Sequence, residues 1–324
     1  MKEMKKLILK IKDNKYKNLI EHYKKNADIG ISDAMKNLGN MYFEGKGVEK
    51  NYEKAIEWYK KAIQLNNSTA MKNLGSMYRY GLGVKKDYVK AIELYKNAIK
   101  LGNNKAMEKM GDMYYNGEGV IKDYRIAMEW YKKSSIEGNI YVNKKIGDIY
   151  FYGKNIDKSY ETALIYYKKI AKFDSTIAKK LGDIYLEGII IPLNYGEALQ
   201  WYTQAILLGD LSAIKKIKIC YDRKIGSTED YLKIIKICIE KKGTKRYFLE
   251  ILKWCEDFSD FGNVEAMNYI GYIYFKGKGV EKNYEEAIKW YKKAIKLGNK
   301  EAIYNLENLL KEMNNMDKNN TTVF

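Results

Sequence analysis

The sequence predicts an all-α solenoid of about seven two-helix repeats of 36 residues, with partial repeats at both ends. Three observations carry this expectation. The string YFEGKGVEKNY at 42–52 returns at 274–284 as YFKGKGVEKNY, with Glu44 replaced by Lys276 as the single change. The glycine of an LGxxY-like string recurs at Gly39, Gly75, Gly111, Gly147 and Gly182, at intervals of 36, 36, 36 and 35, and again at Gly271. Self-similarity at such a period marks stacked repeats. On either side of the glycine-rich string, apolar residues fall at helical spacing: Ala34, Leu38 and Met41 before it, then Tyr52, Ala55, Ile56, Tyr59, Ala62 and Ile63 after it.

Each element of the repeat has a local reason. Gly45 ends the first helix where a left-handed residue is needed, and Gly47 lets the chain double back. Val48 supplies an apolar plug. An Asn, Asp or Ser stands before the second helix in every clear copy (Asn51, Asp87, Asp123, Ser159, Asn194, Asn283), which is N-cap chemistry. In the fourth copy Asn155 replaces the second glycine and tolerates the same backbone conformation. Two close glycines with a lysine also resemble a phosphate loop, but no strand-like segment precedes them, so they read as turn chemistry. Gly39, Ala55 and Ala62 let helices approach, while Tyr42, Trp58 and Tyr59 fill the gaps; one pair cannot bury this surface alone, so the array folds by stacking.

Composition narrows the function classes. The chain has 324 residues, 46% of them hydrophobic and 14% aromatic, and it is therefore expected to fold. It has one proline (Pro192), one histidine (His22) and three cysteines, too little inventory for histidine metal sites or His-centred triads. No catalytic residue, cofactor or metal is expected. His22 takes the tryptophan position of a partial first repeat, which predicts packing. Cys220, Cys238 and Cys255 are odd in number and make no CxxC pair, so buried free thiols in a reducing, cytoplasmic compartment are expected. No signal peptide and no transmembrane segment is read.

The formal charge of +18 raises binding to nucleic acid or an anionic membrane surface. Only Arg79, Arg125, Arg223 and Arg246 of the 59 basic residues are arginine, whereas bidentate phosphate recognition favours that side chain. Polyanion binding stays open as the alternative, in a weak form.

The pattern AMKNLGNMYFEGKGVEKNYEKAIEWYKKAI closely resembles the Sel-one-like repeat, a relative of the tetratricopeptide repeat. Leu38, Gly39, Tyr42, Gly45, Gly47, Val48, Tyr52, Ala55, Trp58, Tyr59 and Ala62 carry the match. The resemblance implies a right-handed superhelix used as an adaptor rather than a catalyst. The expected organisation is an N-terminal cap and partial repeat (1–31), five repeats (32–209), an irregular segment (210–262), a regular repeat (263–299), a capping helix (300–313) and a disordered tail (314–324). Gly209 and Gly262 occupy equivalent repeat ends but lie 53 residues apart, 17 more than one repeat. The irregular segment is thus expected to hold an added helix, serving as a joint or as a self-association surface; a monomer is favoured.

Ser212 and Lys215 match an SxxK string of serine enzymes, but the companion motifs are absent. A binding surface is the better expectation. First helices line the concave side of tetratricopeptide-like arrays, and their exposed stripe reads Lys36, Asn40, Phe43; Lys72, Ser76, Arg79, Tyr80; Glu108, Asp112, Tyr115; Lys144, Asp148, Phe151, Tyr152; Lys179, Asp183, Leu186. Its rings and charges suit an extended peptide or helix of a protein partner, against the plainer reading of a solvated face. Lys36 with Asn40 resembles a carboxylate clamp, which Glu108 and Asp112 contradict.

Overall fold

The computed structural model describes residues 16–153, 156–188, 191–241 and 243–321, with side chains as far as 315. Asn155 and residues 189–190 of the IIIPLN string lie outside the described residues. The chain divides into two compact units, up to Tyr166 and from Tyr167 onward. Every regular element among the described residues is helical.

The first unit begins with α1 (residues 16–28). It continues through α2 (Ser32–Glu44), α3 (Tyr52–Gln64), α4 (Ser68–Tyr80), α5 (Tyr88–Lys100), α6 (Asn104–Asn116) and α7 (Tyr124–Ile136). A 3-10 turn at Ile140–Val142 then leads into α8 (Asn143–Tyr152) and the start of α9 (Tyr160–Ala171). Gly45 and Gly47 take φ of 70° and 72°, the left-handed conformation that turns α2 back into α3. The caps form as the sequence requires: Asn51 accepts from Lys54 N, Asp87 from Lys90 N and Asp123 from Ile126 N.

Pairs pack through one repeated contact. A Cβ on Gly39, Gly75 or Gly111 would fall 2.5, 2.8 or 2.5 Å from the ring of Tyr59, Tyr95 or Tyr131 on the following helix. Those tyrosines are fully buried. Stacking between repeats uses the other glycine: a Cβ on Gly83 or Gly119 would lie 2.3 or 2.4 Å from Cβ of Tyr52 or Tyr88, the first residue of the previous second helix. His22, expected to pack, is instead exposed on α1 and bonded to Asn26 (2.9 Å).

The second unit holds the rest of α9, then α10 (Ser175–Glu187), α11 (Tyr195–Leu207), a 3-10 turn (Leu211–Ala213), α12 (Ile214–Asp222), α13 (Thr228–Glu240), α14 (Lys245–Asp260), α15 (Val264–Lys276), α16 (Tyr284–Lys296) and α17 (Lys300–Thr321). α17 thus continues past residue 313, where a tail was expected, and covers α16 with the buried Ala302 and Leu309.

Residues 210–262 accommodate their extra length as α13. The second helix of this irregular repeat is α14: a Cβ on Gly279 would lie 2.4 Å from Cβ of Phe248, the relation that Gly83 has to Tyr52. In that register Trp254 matches Trp58, Cys255 matches Tyr59, and Lys218 of α12 stands where Gly39 stands in α2. A lysine cannot make the glycine–tyrosine contact, and α12 and α14 do not approach as the regular pairs do. Tyr221 spans the opening, donating to Asp257 (2.7 Å) and lying 5.4 Å from Trp254 between ring centres. α13 buries Tyr231, Leu232, Ile234, Ile235, Cys238 and Ile239, so the apolar density of this segment goes largely into the interior. All three cysteines are buried and unpaired; burial pushes the Cys220 thiol up to about 11 and Cys238 to about 12.

Candidate functional site

The stripe named from the sequence lies on the first helices, and the structure sorts its residues into three groups. In four repeats the residue after the packing glycine is a tether for the buried tyrosine: Tyr59 donates to Asn40 (2.7 Å), Tyr131 to Asp112 (2.9 Å), Tyr202 to Asp183 (2.9 Å), and Ser76 pairs with Tyr95 (3.0 Å). A buried phenol needs such a partner, so these polar atoms already have structural work.

The second group forms an ion network across the second, third and fourth repeats. Lys145 reaches Glu108 (2.6 Å) and Asp112 (2.5 Å), Lys109 lies 3.5 Å from Asp112, and Asn139 donates to Glu108 (2.9 Å). Arg79 is 3% exposed, paired with Glu118 and 3.5 Å from Asp112. Burial raises the Glu108 and Asp112 carboxyls, but the charge and hydrogen bonding of Lys145 outweigh it and hold both below their ordinary values. In the second unit Lys216 plays a similar part toward Asp183 (3.0 Å). Arg79, and Leu186 at 8% exposure, lie in the interior and offer a partner no surface. Lys109, Lys145 and Glu118 were not singled out from the sequence; the readable signal was a polar residue two before the glycine in the first five repeats (Asn37, Asn73, Lys109, Lys145, Lys180).

The third group stays accessible. Tyr80 and Tyr152 are exposed. Lys144 is exposed beside Asp148 (2.9 Å). Lys36 leans toward Asp33 (3.5 Å), and Lys179 donates to Ser212 (2.7 Å). Phe43 and Tyr115 are half-buried against the first ring of the next helix, Phe43 on Tyr52 (5.5 Å) and Tyr115 on Tyr124 (5.0 Å); Phe151 meets Tyr160 (5.4 Å). Lys72 is half-buried and makes no ion pair among the described residues. Burial lowers its pKa, and Lys109, Lys105 and Lys36 add to the effect while Glu108 opposes it.

No group of His, Cys, Asp and Glu among the described residues could hold a metal ion, and no described helix is long and apolar enough to cross a membrane. Stacked helix pairs with a polar-aromatic face on the first helices define a helical-repeat protein of the kind that works through its surface. More specifically, the chain belongs to the Sel1 repeat family, whose model matches residues 32–67, 68–103, 104–139, 144–172, 178–210 and 264–299. Such repeat proteins generally mediate protein–protein interaction, and the family is of scaffold type and generally non-enzymatic.

Two repeat proteins are among the solved structures similar to this chain. One is a protective antigen present in uropathogenic Escherichia coli strains and displaying an SLR fold, with TM-score 0.52 and 25% identity over 89% of this chain and 66% of that one. The chain therefore spans about two thirds of that antigen's length. The other is a Sel1 repeat protein from Oxalobacter formigenes, with TM-score 0.51 and 29% identity over 83% of this chain and 89% of that one. A search of curated proteins finds no match.

Proposed function

We propose that the protein is a non-enzymatic interaction scaffold whose first unit presents the face of α2, α4, α6 and α8 to a peptide or helix of a protein partner. The observation that carries this reading is Lys72. Its ammonium is half-buried, without an ion pair among the described residues, in a field made more positive by Lys36, Lys105 and Lys109. Leaving a charge so placed is unfavourable, and an incoming carboxylate would relieve it. Exposed Tyr80, eight residues further along the same helix and so about 12 Å away, supplies an apolar anchor for the same segment. The partner segment is thus acidic with an apolar neighbour. The neighbouring Glu108–Asp112–Lys145 network is internally satisfied; it holds the face rigid, which lowers the cost of ordering on binding.

A photo-crosslinking amino acid at Tyr80, with one at exposed Tyr304 of α17 as control, tests this. A partner captured at Tyr80 and not at Tyr304, and lost on Lys72→Glu with unchanged circular dichroism, is the expected result. Equal capture at both positions, or capture indifferent to Lys72→Glu, overturns it. The alternative, lysine-driven binding to nucleic acid or anionic membrane, predicts affinity that falls steeply between two salt concentrations. Titrations with mixed nucleic acid and with anionic vesicles separate the two readings.

A further inference from the structure

In α12 a lysine, Lys218, stands where the regular repeats have their packing glycine. Gly39, Gly75, Gly111, Gly182 and Gly271 each sit under a tyrosine ring at a distance that excludes even a methyl group. At the equivalent place in α12 the chain carries Lys218, and in the register of α14 Cys255 replaces the tyrosine. The glycine–tyrosine contact is therefore absent here, and Tyr221, Tyr231, Trp254 and Phe258 pack together instead.

A cavity of about 470 Å³ lies within the second unit, between the start of α12 and the start of α14. That size is in the range of small-molecule sites, roughly 300–1,000 Å³. Its floor is apolar: Ile214 and Tyr247 are buried and Leu211 is half-buried. Tyr247 spends its hydroxyl on the Cys238 carbonyl (3.1 Å), so it presents only its ring. The walls carry three cations and one carboxylate. Lys218 is neutralised by Glu250 (3.0 Å) and Asp222 (3.2 Å). Lys215 and Arg246 are exposed and make no ion pair among the described residues. A further cation reaches the rim where Lys179 donates to Ser212 (2.7 Å), whose own hydroxyl donates to Asp210 (2.6 Å).

We propose that this cavity binds one small amphiphilic anion: an apolar ring or short chain seated on Ile214 and Tyr247, with a single carboxylate or comparable group between Lys215 and Arg246. The apolar floor accounts for burial of the body. The two uncommitted cations account for the sign of the head group, since a carboxylate accepts two parallel hydrogen bonds from a guanidinium. The site lies in the second unit and shares no residue with α2, α4, α6 or α8, so its fate and that of the scaffold reading are independent.

The test uses the full chain and 4-phenylbutyrate as probe, by isothermal titration, against its uncharged amide and against 4-phenylbutylamine. One site per chain is expected, with the acid bound about tenfold or more tightly than the amide. Lys215→Ala with Arg246→Ala should remove that difference, and Lys215→Glu with Arg246→Glu should reverse the preference toward the amine; both residues are exposed, and thermal unfolding checks that the fold is kept. Equal binding of acid and amide, or acid binding unaffected by these substitutions, overturns the proposal. A capped peptide with internal Phe-Glu that competes better than 4-phenylbutyrate overturns the small-ligand assignment and makes the cavity a peptide anchor.

Discussion

Gly111 lies so close beneath Tyr131 that a Cβ on it would fall 2.5 Å from ring atom Cε1 and 3.2 Å from the Ala127 carbonyl oxygen. The ring has no easy retreat, because it is buried and its hydroxyl is bonded to Asp112. Helix propensity alone would make Gly111→Ala stabilising by about 1 kcal/mol. Overpacking, worth roughly 1–3 kcal/mol, opposes it. The expected outcome is net destabilisation, read as a lower urea midpoint; Gly111→Ala at or above wild-type stability would contradict the packing account.

The ion network gives the protein an acid sensitivity with a definite sign. Glu108 and Asp112 are held below their ordinary values of 4.5 and 3.8. Groups with depressed folded-state pKa contribute stability that is present above the unfolded value and lost as pH falls through the folded one. Stability should therefore decline from about pH 4.5 downward. Lys145→Ala should cost about 1–3 kcal/mol at neutral pH, as loss of hydrogen bonds to charged groups. It should also flatten the acid decline, which equilibrium denaturation at pH 7 and pH 4 would show.

The three thiols should be silent in the folded protein. Cys220 and Cys238 are pushed up to about 11 and 12 by burial, and Cys255, fully buried, is raised further. Reaction needs thiolate and access. Ellman's reagent at pH 8 is expected to label none of them until denaturant is added, then all three; rapid labelling of the native chain would show that the α12–α14 region opens.

In the second unit α17 packs on α15 and α16. Leu309 is fully buried against the α15–α16 pair. Leu309→Asp should destabilise by about 2–5 kcal/mol, since it removes apolar burial and buries a charge. Concentration-dependent aggregation in sedimentation should accompany it, whereas Tyr304→Asp, on the exposed side, should leave both properties unchanged.

The helix pairs, their caps and their turns were legible in the sequence because each rests on residues within one repeat: Asn51 caps three residues away, and Gly45 takes its left-handed turn in place. The 36-residue period and the 17-residue excess of the irregular segment are likewise properties of the chain itself. What the sequence could not decide was which polar residues were already spoken for. Arg79 and Glu118 are 39 residues apart, Lys145 and Asp112 are 33 apart, and a helical wheel places all of them without saying which charges meet. Nor could it show the cavity, because its walls come from α12 and α14, two helices separated in sequence by the inserted α13. Local turns and periodicity are set by neighbours in sequence; pairing of charges and the space between helices are set by which repeat stacks on which, and only the tertiary structure fixes that.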